Sequence, residues 1–246
     1  MLIVTVDLDW APEPAIEETL DFLQERGVIP TVFVTHRSPR VESSLGEIEV
    51  GLHPFFHPDS SHGKTIEEVI DSVMALPHNI PAFRCHRYAT CNESNRQMME
   101  AGMKVASNIC TDLEIVPPFI DRLGLIQVPI YFEDGGYLWN CHPLTKSFKP
   151  AEEAITVMNI HPMHFVVNTP AFDYMVQIKR QFTREQWIGM SRQQLDHLKY
   201  QGDGIRRVIV ELIDASNETG SLIRSIAKSP RFSTKIGKAK VLRARH

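Results

Sequence analysis

The stretch LIVTVDLDW, residues 2–10, decides how the fold of this chain is interpreted, because it begins as a strand and ends in two acids. Its first five residues are all β-branched or apolar, which predicts a buried strand. Asp7 and Asp9 are spaced i, i+2, so an extended backbone points both carboxylates to one face. Two like charges on one face are unfavourable unless a cation or a proton lies between them. The stretch therefore predicts either a polar site at the end of a buried strand or two acids that cap a turn.

Short buried strands alternate with amphipathic helices along the first two thirds of the chain. Helices are expected around Ile16, Leu20 and Leu23, after a capping box at Thr65 and Glu68, and over 92–101. Residues 37–46 have the composition of a loop. Strands are expected at 2–9, 31–35, 47–53, 82–88, 104–110, 125–133 and 155–161. This alternation predicts an α/β fold with a parallel sheet, and the strand number favours a distorted or partly open, seven-stranded (β/α) barrel.

The last third of the chain changes to a helical pattern without a linker that would mark a second domain. Helices are expected at 171–181, 184–200, 203–215 and 219–228. We therefore expect a single domain over 1–246, with a barrel core (1–165), flanking helices (166–228) and a basic tail (229–246). Seven Lys or Arg residues and no acid occur from Lys228 to the end, as in a solvated terminus or a segment that contacts an anionic lipid or phosphorylated ligand.

Composition excludes several classes of function. A formal net charge of −4 over 246 residues argues against nucleic acid as the main partner. No Gly-rich nucleotide loop follows a strand, and no apolar run approaches the roughly 18 residues of a membrane span. The sequence shows no signal peptide, and its four cysteines lack zinc-ribbon spacing, so we expect a cytoplasmic protein. Nothing in the sequence predicts its oligomeric state.

Two histidines in GLHPFFHP, residues 51–58, follow a predicted strand. His53 and His57 are spaced i, i+4 and could meet one metal ion, although Pro58 biases His57 away from the helical region. The Glu of a metalloprotease H-E-x-x-H is absent, and a lone pair of this kind is more often structural. However, the pair follows a strand that should end at the same edge of the sheet as Asp7 and Asp9. This position favours a catalytic zinc site with two His, one Asp and a water.

Two further strand ends carry polar side chains, in FRCHRY (residues 83–88) and VMNIHPMH (residues 157–164). Arg84 is either a surface cation or the partner of a buried carboxylate. His161 is either a turn residue or part of the same edge. Because four separate strand ends offer Asp, His, Arg and His, we favour a shared site over four unrelated features.

Taken in order, these stretches resemble the polysaccharide deacetylase family, with the NodB-homology or carbohydrate esterase 4 fold. Within it they resemble the branch encoded with bacterial surface-polysaccharide (O-antigen) biosynthesis. The segment 5–9 (TVDLD) stands where the family has T-F-D-D, and 53–57 (HPFFH) matches its H-x-x-x-H pair. Arg84 matches the Arg of R-x-P-Y, and 159–161 (NIH) matches L-x-I-H. The resemblance covers residues 2 to about 165.

The resemblance implies a role for each matching residue. The implied catalytic residues are Asp7 as base, His161 as acid and Arg84 as the partner of Asp7. The implied ligands of a divalent metal ion, with zinc expected, are Asp9, His53 and His57. The candidates for binding a hydroxylated substrate are His86, Arg87, Tyr88 and His164. The family's D-x-x-D-W segment has no clean counterpart, and Trp139, Asp134 and His142 stay unassigned.

The resemblance implies a metal-dependent deacylase that hydrolyses the N-acyl, expected N-acetyl, amide of an amino sugar. The expected substrate is a nucleotide- or lipid-linked precursor of a surface polysaccharide. Two departures, the extra Leu8 and the pair His86-Arg87 in place of Pro-Tyr, leave two alternatives open. One is an allantoinase-like amide hydrolase, metal-free in some forms, that acts on a small nitrogen compound. The other is a non-catalytic sugar-binding relative.

Overall fold

Strand β1 (Leu2–Asp7) is an inner strand of the sheet in the computed structural model, which describes residues 1–145 and 154–237. All six of its residues are buried, as expected of a strand covered on both faces. It pairs in parallel with β2 (Thr31–Val34) on one side and β9 (Thr156–Ile160) on the other. The predicted strand is confirmed, but it ends at Asp7, because the backbone turns at Asp9 and Trp10, where φ is 47° and 54°.

The other strands are short. They are β3 (Glu49–Leu52), β4 (Ala82–Phe83), β5 (Val105–Ala106), β6 (Phe119–Ile120), β7 (Ile126–Gln127), β8 (Phe132–Glu133) and β10 (Thr219–Gly220). The spatial order is β6-β7-β5-β4-β3-β2-β1-β9-β8, and β10 pairs with the start of β1. Of these pairings only β6 with β7 is antiparallel. This curled, mixed sheet confirms the distorted, partly open (β/α) barrel. The expected number of seven strands is wrong, because the described residues form ten: residues 119–133 break into the short strands β6, β7 and β8, and β10 is added beside β1.

Helices surround the sheet. In chain order they are α1 (Glu13–Glu25), α2 (Pro39–Ser43), α3 (Ile66–Met74), α4 (Asn92–Glu100), α5 (Asp134–Trp139), α6 (Pro162–Val167), α7 (Phe172–Lys179), α8 (Arg184–Ile188), α9 (Arg192–Leu198), α10 (Ile205–Asp214), α11 (Leu222–Ile226) and α12 (Pro230–Ile236). A single 3₁₀ turn covers His86–Tyr88. The parallel strands deliver the residues that follow β1, β3, β4, β8 and β9 to one edge of the sheet.

Several expectations about secondary structure were wrong in detail. The expected strand at 104–110 is shortened to β5, and the one at 125–133 is divided into β7 and β8. The expected loop at 37–46 contains α2, which Ser38 caps by accepting from the Val41 amide. The expected helix at 184–200 is two helices, because the Ser191 capping box starts α9 anew. The expected helix at 219–228 begins as β10, since the Leu2 amide donates to the Glu218 carbonyl. The expected strand at 82–88 ends at Phe83, where the chain turns out of the sheet toward the 3₁₀ turn.

The start of the basic tail packs against the barrel rather than lying in solvent. Phe232 and Ile236 of α12 are buried, and the Lys104 ammonium donates to the Ile236 carbonyl over 2.8 Å. The rest of the predicted tail, residues 238–246, lies outside the described residues. Among the residues that are described, none of the helices combines the length and apolar character that a membrane crossing requires.

Candidate active site

A cavity of about 680 Å³ opens at the carboxyl edge of the sheet. Its polar floor comes from residues at or just after the ends of β1, β3, β4, β8 and β9. One wall comes from the end of α5 and from the flanking helices α7 and α8. The wall side chains are mainly aromatic or apolar and comprise Trp139, Phe172, Met175, Lys179 and Trp187. Trp139 is 67% exposed and meets the ring of Phe172 edge to face. A cavity with a polar floor and an aromatic wall suits a polar ligand of the size of a sugar.

Asp9, His53 and His86 converge at the floor of this cavity. Asp9 Oδ1 lies 3.0 Å from His53 Nε2 and 2.9 Å from His86 Nδ1. The donor atoms of the three residues all lie within 4.8 Å of one another. Although burial alone would raise it, the charges of His86 and His161 hold the pKa of Asp9 well below its usual value. The carboxylate therefore stays ionised and available to a cation.

One carboxylate and two imidazoles with an open side are the donor set of a catalytic zinc site. Metal bonds of about 2.0–2.1 Å in a tetrahedral arrangement place neighbouring ligand atoms about 3.3 Å apart. The observed contacts of 3.0 and 2.9 Å are close to that spacing, so the three residues fit a divalent ion. The Nδ1 atom of His53 is buried without a hydrogen-bond partner in the described ranges, so the contacts of Nε2 orient this ring.

The structure does not bring His57 to this group. Its side chain is 42% exposed, its ring stacks on Phe55, and its Nδ1 accepts from the Asp59 amide. Residues 53–64 form no helix or strand, because Pro54 and Pro58 interrupt the turn that would have placed His57 above His53. The third position of the donor set, assigned to His57 by the resemblance, is instead filled by His86.

Asp7 lies behind the donor set in a buried polar network. Its Oδ1 accepts from the Arg84 guanidinium over 2.9 Å, and its Oδ2 accepts from the Asn159 amide over 2.8 Å. Arg84 is fully buried and also donates to Thr5 and to the backbone and side chain of Ser107. Asp7 Oδ2 is 3.9 Å from both His53 Nε2 and His161 Nε2. The network therefore holds the carboxylate facing the cavity, as Arg84 was expected to do.

His161 lies near the second carboxylate oxygen of Asp9, with Nε2 3.6 Å from Asp9 Oδ2. Its other ring nitrogen contacts Asp134 Oδ1 at 2.5 Å, and its backbone amide donates to Asp134 Oδ2. Burial alone would lower the pKa of His161, but the charges of Asp134 and Asp9 raise it well above its usual value. His161 therefore holds a proton at neutral pH and presents Nε2 to the cavity.

Asp134 and Asn159 contact His161 and Asp7, although the matched motifs gave neither of them a role. Asp134 is fully buried and orients His161, which is the task expected of the missing D-x-x-D-W segment. It directly follows β8, so a search of every strand end for acids would have found it. Asn159 lies inside the matched N-I-H motif, but only the sheet register, which pairs it with Thr5, shows that it faces Asp7.

The other three candidates for substrate binding, Arg87, Tyr88 and His164, also line the cavity. Arg87 and Tyr88 belong to the 3₁₀ turn after β4 and have positive φ angles of 56° and 54°. Burial lowers the pKa of His164 to about 4, so this ring is neutral at physiological pH, and its Nδ1 contacts the Thr169 hydroxyl. His164 therefore offers a neutral hydrogen-bonding group rather than a charge.

Glu133 is a partly buried acid at the same edge. Its Oε1 is 3.7 Å from His161 Nδ1, and its Oε2 accepts from the Gly136 amide. Burial raises the pKa of Glu133 to about 7 against the opposing charge of His161. Because glutamate in an unfolded chain titrates near 4.3, the native state binds more protons between pH 4.3 and 7. The free energy of unfolding should therefore fall across this range as pH rises.

We expect Glu133→Gln to remove this decline, which amounts to about 4 kcal/mol at most. The measurement is urea unfolding of both proteins at pH 5, 6, 7 and 8, with the exposed Glu25→Gln as matched control. The stability of Glu133→Gln relative to the parent should rise with pH, whereas that of Glu25→Gln should not. Parallel curves for the parent and Glu133→Gln would show that Glu133 does not titrate as described.

Known proteins resemble this chain in sequence and in fold. A family model described as WbmS-like polysaccharide deacetylase matches residues 4–179. The structure of WbmS from Bordetella bronchiseptica, assigned as a polysaccharide deacetylase involved in O-antigen biosynthesis, is similar with a TM-score of 0.76. The two share 21% sequence identity over 87% of this chain and 89% of that chain, which demonstrates a common fold.

Two other solved structures are more distant. The Bc1960 peptidoglycan N-acetylglucosamine deacetylase gives a TM-score of 0.42 at 11% identity, over 91% of this chain and 86% of that chain. A protein of Mycobacterium smegmatis, also assigned as a polysaccharide deacetylase, gives 0.44 at 14% identity, over 100% and 95%. No curated protein matches the sequence significantly.

Proposed function

This chain belongs to the WbmS-like polysaccharide deacetylase family, and from that premise we propose that it is a metal-dependent deacylase acting on an amino sugar. Membership of the family makes it a hydrolytic deacetylase. The proposal adds the metal, the bond, which is an N-acyl and most simply N-acetyl amide, and the substrate, a precursor of a bacterial surface polysaccharide. The observation that carries it is the convergence of Asp7, Asp9, His53, His86 and His161 at the floor of one cavity.

Asp9, His53 and His86 would hold the divalent ion, for which zinc is our choice. When bound there, the ion would supply Lewis acidity, which polarises the amide carbonyl and lowers the pKa of water. One carboxylate and two imidazole nitrogens match what such an ion needs from its ligands. Arg84, which is fully buried, stays out of the donor set and faces Asp7 instead.

We assign Asp7 as the general base that accepts the proton of the attacking water. Its Oδ2 has two lone pairs, of which Asn159 uses one, so the other can accept a proton. Arg84 and Asn159 fix the orientation of this carboxylate and prevent it from swinging toward the ligand histidines. A positioned base of this kind contributes about 10²–10⁴-fold to the rate.

We assign His161 as the general acid that protonates the leaving amine from Nε2. Asp134 holds the opposite ring nitrogen and stabilises the imidazolium, so the proton to be given away is the one on Nε2. The raised pKa of His161 keeps that proton in place at neutral pH. Asp7 Oδ2 and His161 Nε2 are 3.9 Å apart, so the proposed base and acid can both reach one amide at the floor of the cavity.

Three features support an amino sugar as the substrate. The cavity volume of about 680 Å³ is that of a small-molecule site, and the exposed face of Trp139 offers a platform for a sugar ring. The similar WbmS structure is assigned to O-antigen biosynthesis, which favours a surface-polysaccharide precursor linked to a nucleotide or a lipid. A cytoplasmic location is part of this proposal.

Asp7→Asn is expected to lower acetate release from N-acetyl amino sugars by about 10²–10⁴-fold while the metal content stays unchanged. Asparagine has nearly the same shape but cannot accept the proton. The measurement combines acetate release with elemental analysis of protein purified without chelator. Asp121→Asn, at a carboxylate that caps a turn far from the cavity, is the matched control and should keep full activity.

Loss of metal together with activity in Asp7→Asn would instead make Asp7 a ligand. The same screen separates the alternative functions. An amide hydrolase for small nitrogen compounds would release no acetate from any N-acetyl sugar but would open a linear or cyclic amide. A sugar-binding relative would release none from either class and would be purified without bound metal.

A further inference from the structure

Three cationic side chains lie at the mouth of the catalytic cavity. Arg87 comes from the 3₁₀ turn after β4, Lys179 from the end of α7 and Arg184 from the start of α8. All three line a shallow pocket of about 250 Å³ that shares Asp9, His86 and Trp187 with the main cavity. Segments almost a hundred residues apart in the chain thus bring three positive charges to one opening, in a chain whose net charge is negative.

None of these three cations forms an ion pair with a carboxylate in the part of the chain that the structure describes. Each instead lies over an aromatic ring: Arg87 over Phe55 at 5.7 Å, Lys179 over Trp187 at 5.5 Å and Arg184 over Trp10 at 4.4 Å. Arg184 also donates a hydrogen bond to the Ser61 hydroxyl. An aromatic face orients a cation but leaves its N–H donors free for an anion.

Other cations of the flanking helices form ion pairs with an acid. Arg192 and Arg206 both pair with Glu18, at 2.6 and 2.5 Å. Burial lowers the pKa of Arg184, which is the direction expected of a cation that has lost water without gaining an anion. The left-handed backbone at Arg87, with φ of 56°, is an unfavourable conformation that directs this residue to the mouth.

We propose that Arg87, Lys179 and Arg184 form an anion site that holds a carboxylate or phosphate substituent of the substrate. This inference rests on the proposed function, because it narrows the substrate class from any N-acyl amino sugar to one that carries a negative charge next to the sugar. The floor of the cavity then acts on the amide while the mouth binds the charged group. A carboxylate would belong to an acidic sugar, and a phosphate to a nucleotide or lipid linkage.

The three tryptophans of the chain, Trp10, Trp139 and Trp187, all line one of the two pockets, so their fluorescence should report binding directly. The full chain, dialysed against EDTA to remove any bound ion, is titrated at low ionic strength with inorganic pyrophosphate, glucuronate or neutral glucose. We expect a saturable change with at least one anion and a far weaker one with glucose. The anion that binds more tightly identifies phosphate or carboxylate as the group recognised.

Lys179→Met and Arg184→Met should each weaken anion binding by about 10- to 100-fold, as expected for the loss of one charge-assisted hydrogen bond. Arg180→Met, which removes the neighbouring exposed cation outside both pockets, should leave the dissociation constant unchanged. No saturable response to either anion, or equal dissociation constants in all variants, would overturn the proposal.

Failure of the proposed function has a different signature. If an anion binds and the two substitutions weaken its binding, but no sugar releases acetate, the deacylase assignment is rejected and the anion site is kept. Acetate release that is equally fast for neutral and charged N-acetyl sugars, and insensitive to Lys179→Met, would reject the anion site and keep the deacylase.

Discussion

His86→Gln is expected to abolish both metal binding and acetate release, whereas His57→Gln should retain both. His86 Nδ1 lies 2.9 Å from Asp9 Oδ1, inside the donor set, while His57 is half exposed and bonded to its own loop. Lowering the pKa of water from about 15.7 to about 7 corresponds to roughly 12 kcal/mol in hydroxide availability. Removing a ligand should therefore cost nearly all of the activity.

The measurement is elemental analysis of both variants after purification without chelator, followed by acetate release with and without added zinc. The two substitutions are chemically identical, so each is the matched control of the other. Circular dichroism establishes that both variants are folded. The opposite result, in which His57→Gln loses the ion and His86→Gln keeps it, would restore the H-x-x-x-H pair suggested by the sequence resemblance.

Arg84→Met is expected to lower the free energy of unfolding by about 3–5 kcal/mol. Arg84 has no exposed surface and is the cationic partner of Asp7, whose side chain is only 3% exposed. Methionine fills part of the volume but leaves the Asp7 carboxylate buried with a single hydrogen-bond donor, Asn159. An uncompensated buried charge of this kind is among the largest single-residue penalties in a folded protein.

Urea unfolding at neutral pH measures the effect. Arg207→Met is the control because the ion pairs of Arg207 with Glu211 and Asp203 are exposed pairs of the helical flank. That control should show no measurable change. Combining Arg84→Met with Asp7→Asn should recover part of the loss, since it removes the unpaired charge. If the double variant is no more stable than Arg84→Met, the loss arises from packing and not from the buried carboxylate.

The local pattern of the sequence was sufficient to predict several elements of the fold and the edge at which the site lies. The β-branched run in β1 and the capping box at Thr65 depend on neighbouring residues only, so they could be predicted without knowing the fold. The alternation of strands and helices implied a parallel sheet, whose strand ends necessarily meet at one edge. That argument alone brought Asp7, His53, Arg84 and His161 together.

The tertiary structure decided which residues at that edge touch. His86 and not His57 reaches Asp9, because two prolines break the turn after His53 and a left-handed backbone follows His86. Asp134 reaches His161, and three cations meet at the mouth, through packing between segments far apart in the chain. Periodicity and spacing in a sequence describe only neighbours within one element. The contact of His86 with Asp9 joins residues that are 77 positions apart, and it depends on how irregular loops pack in three dimensions.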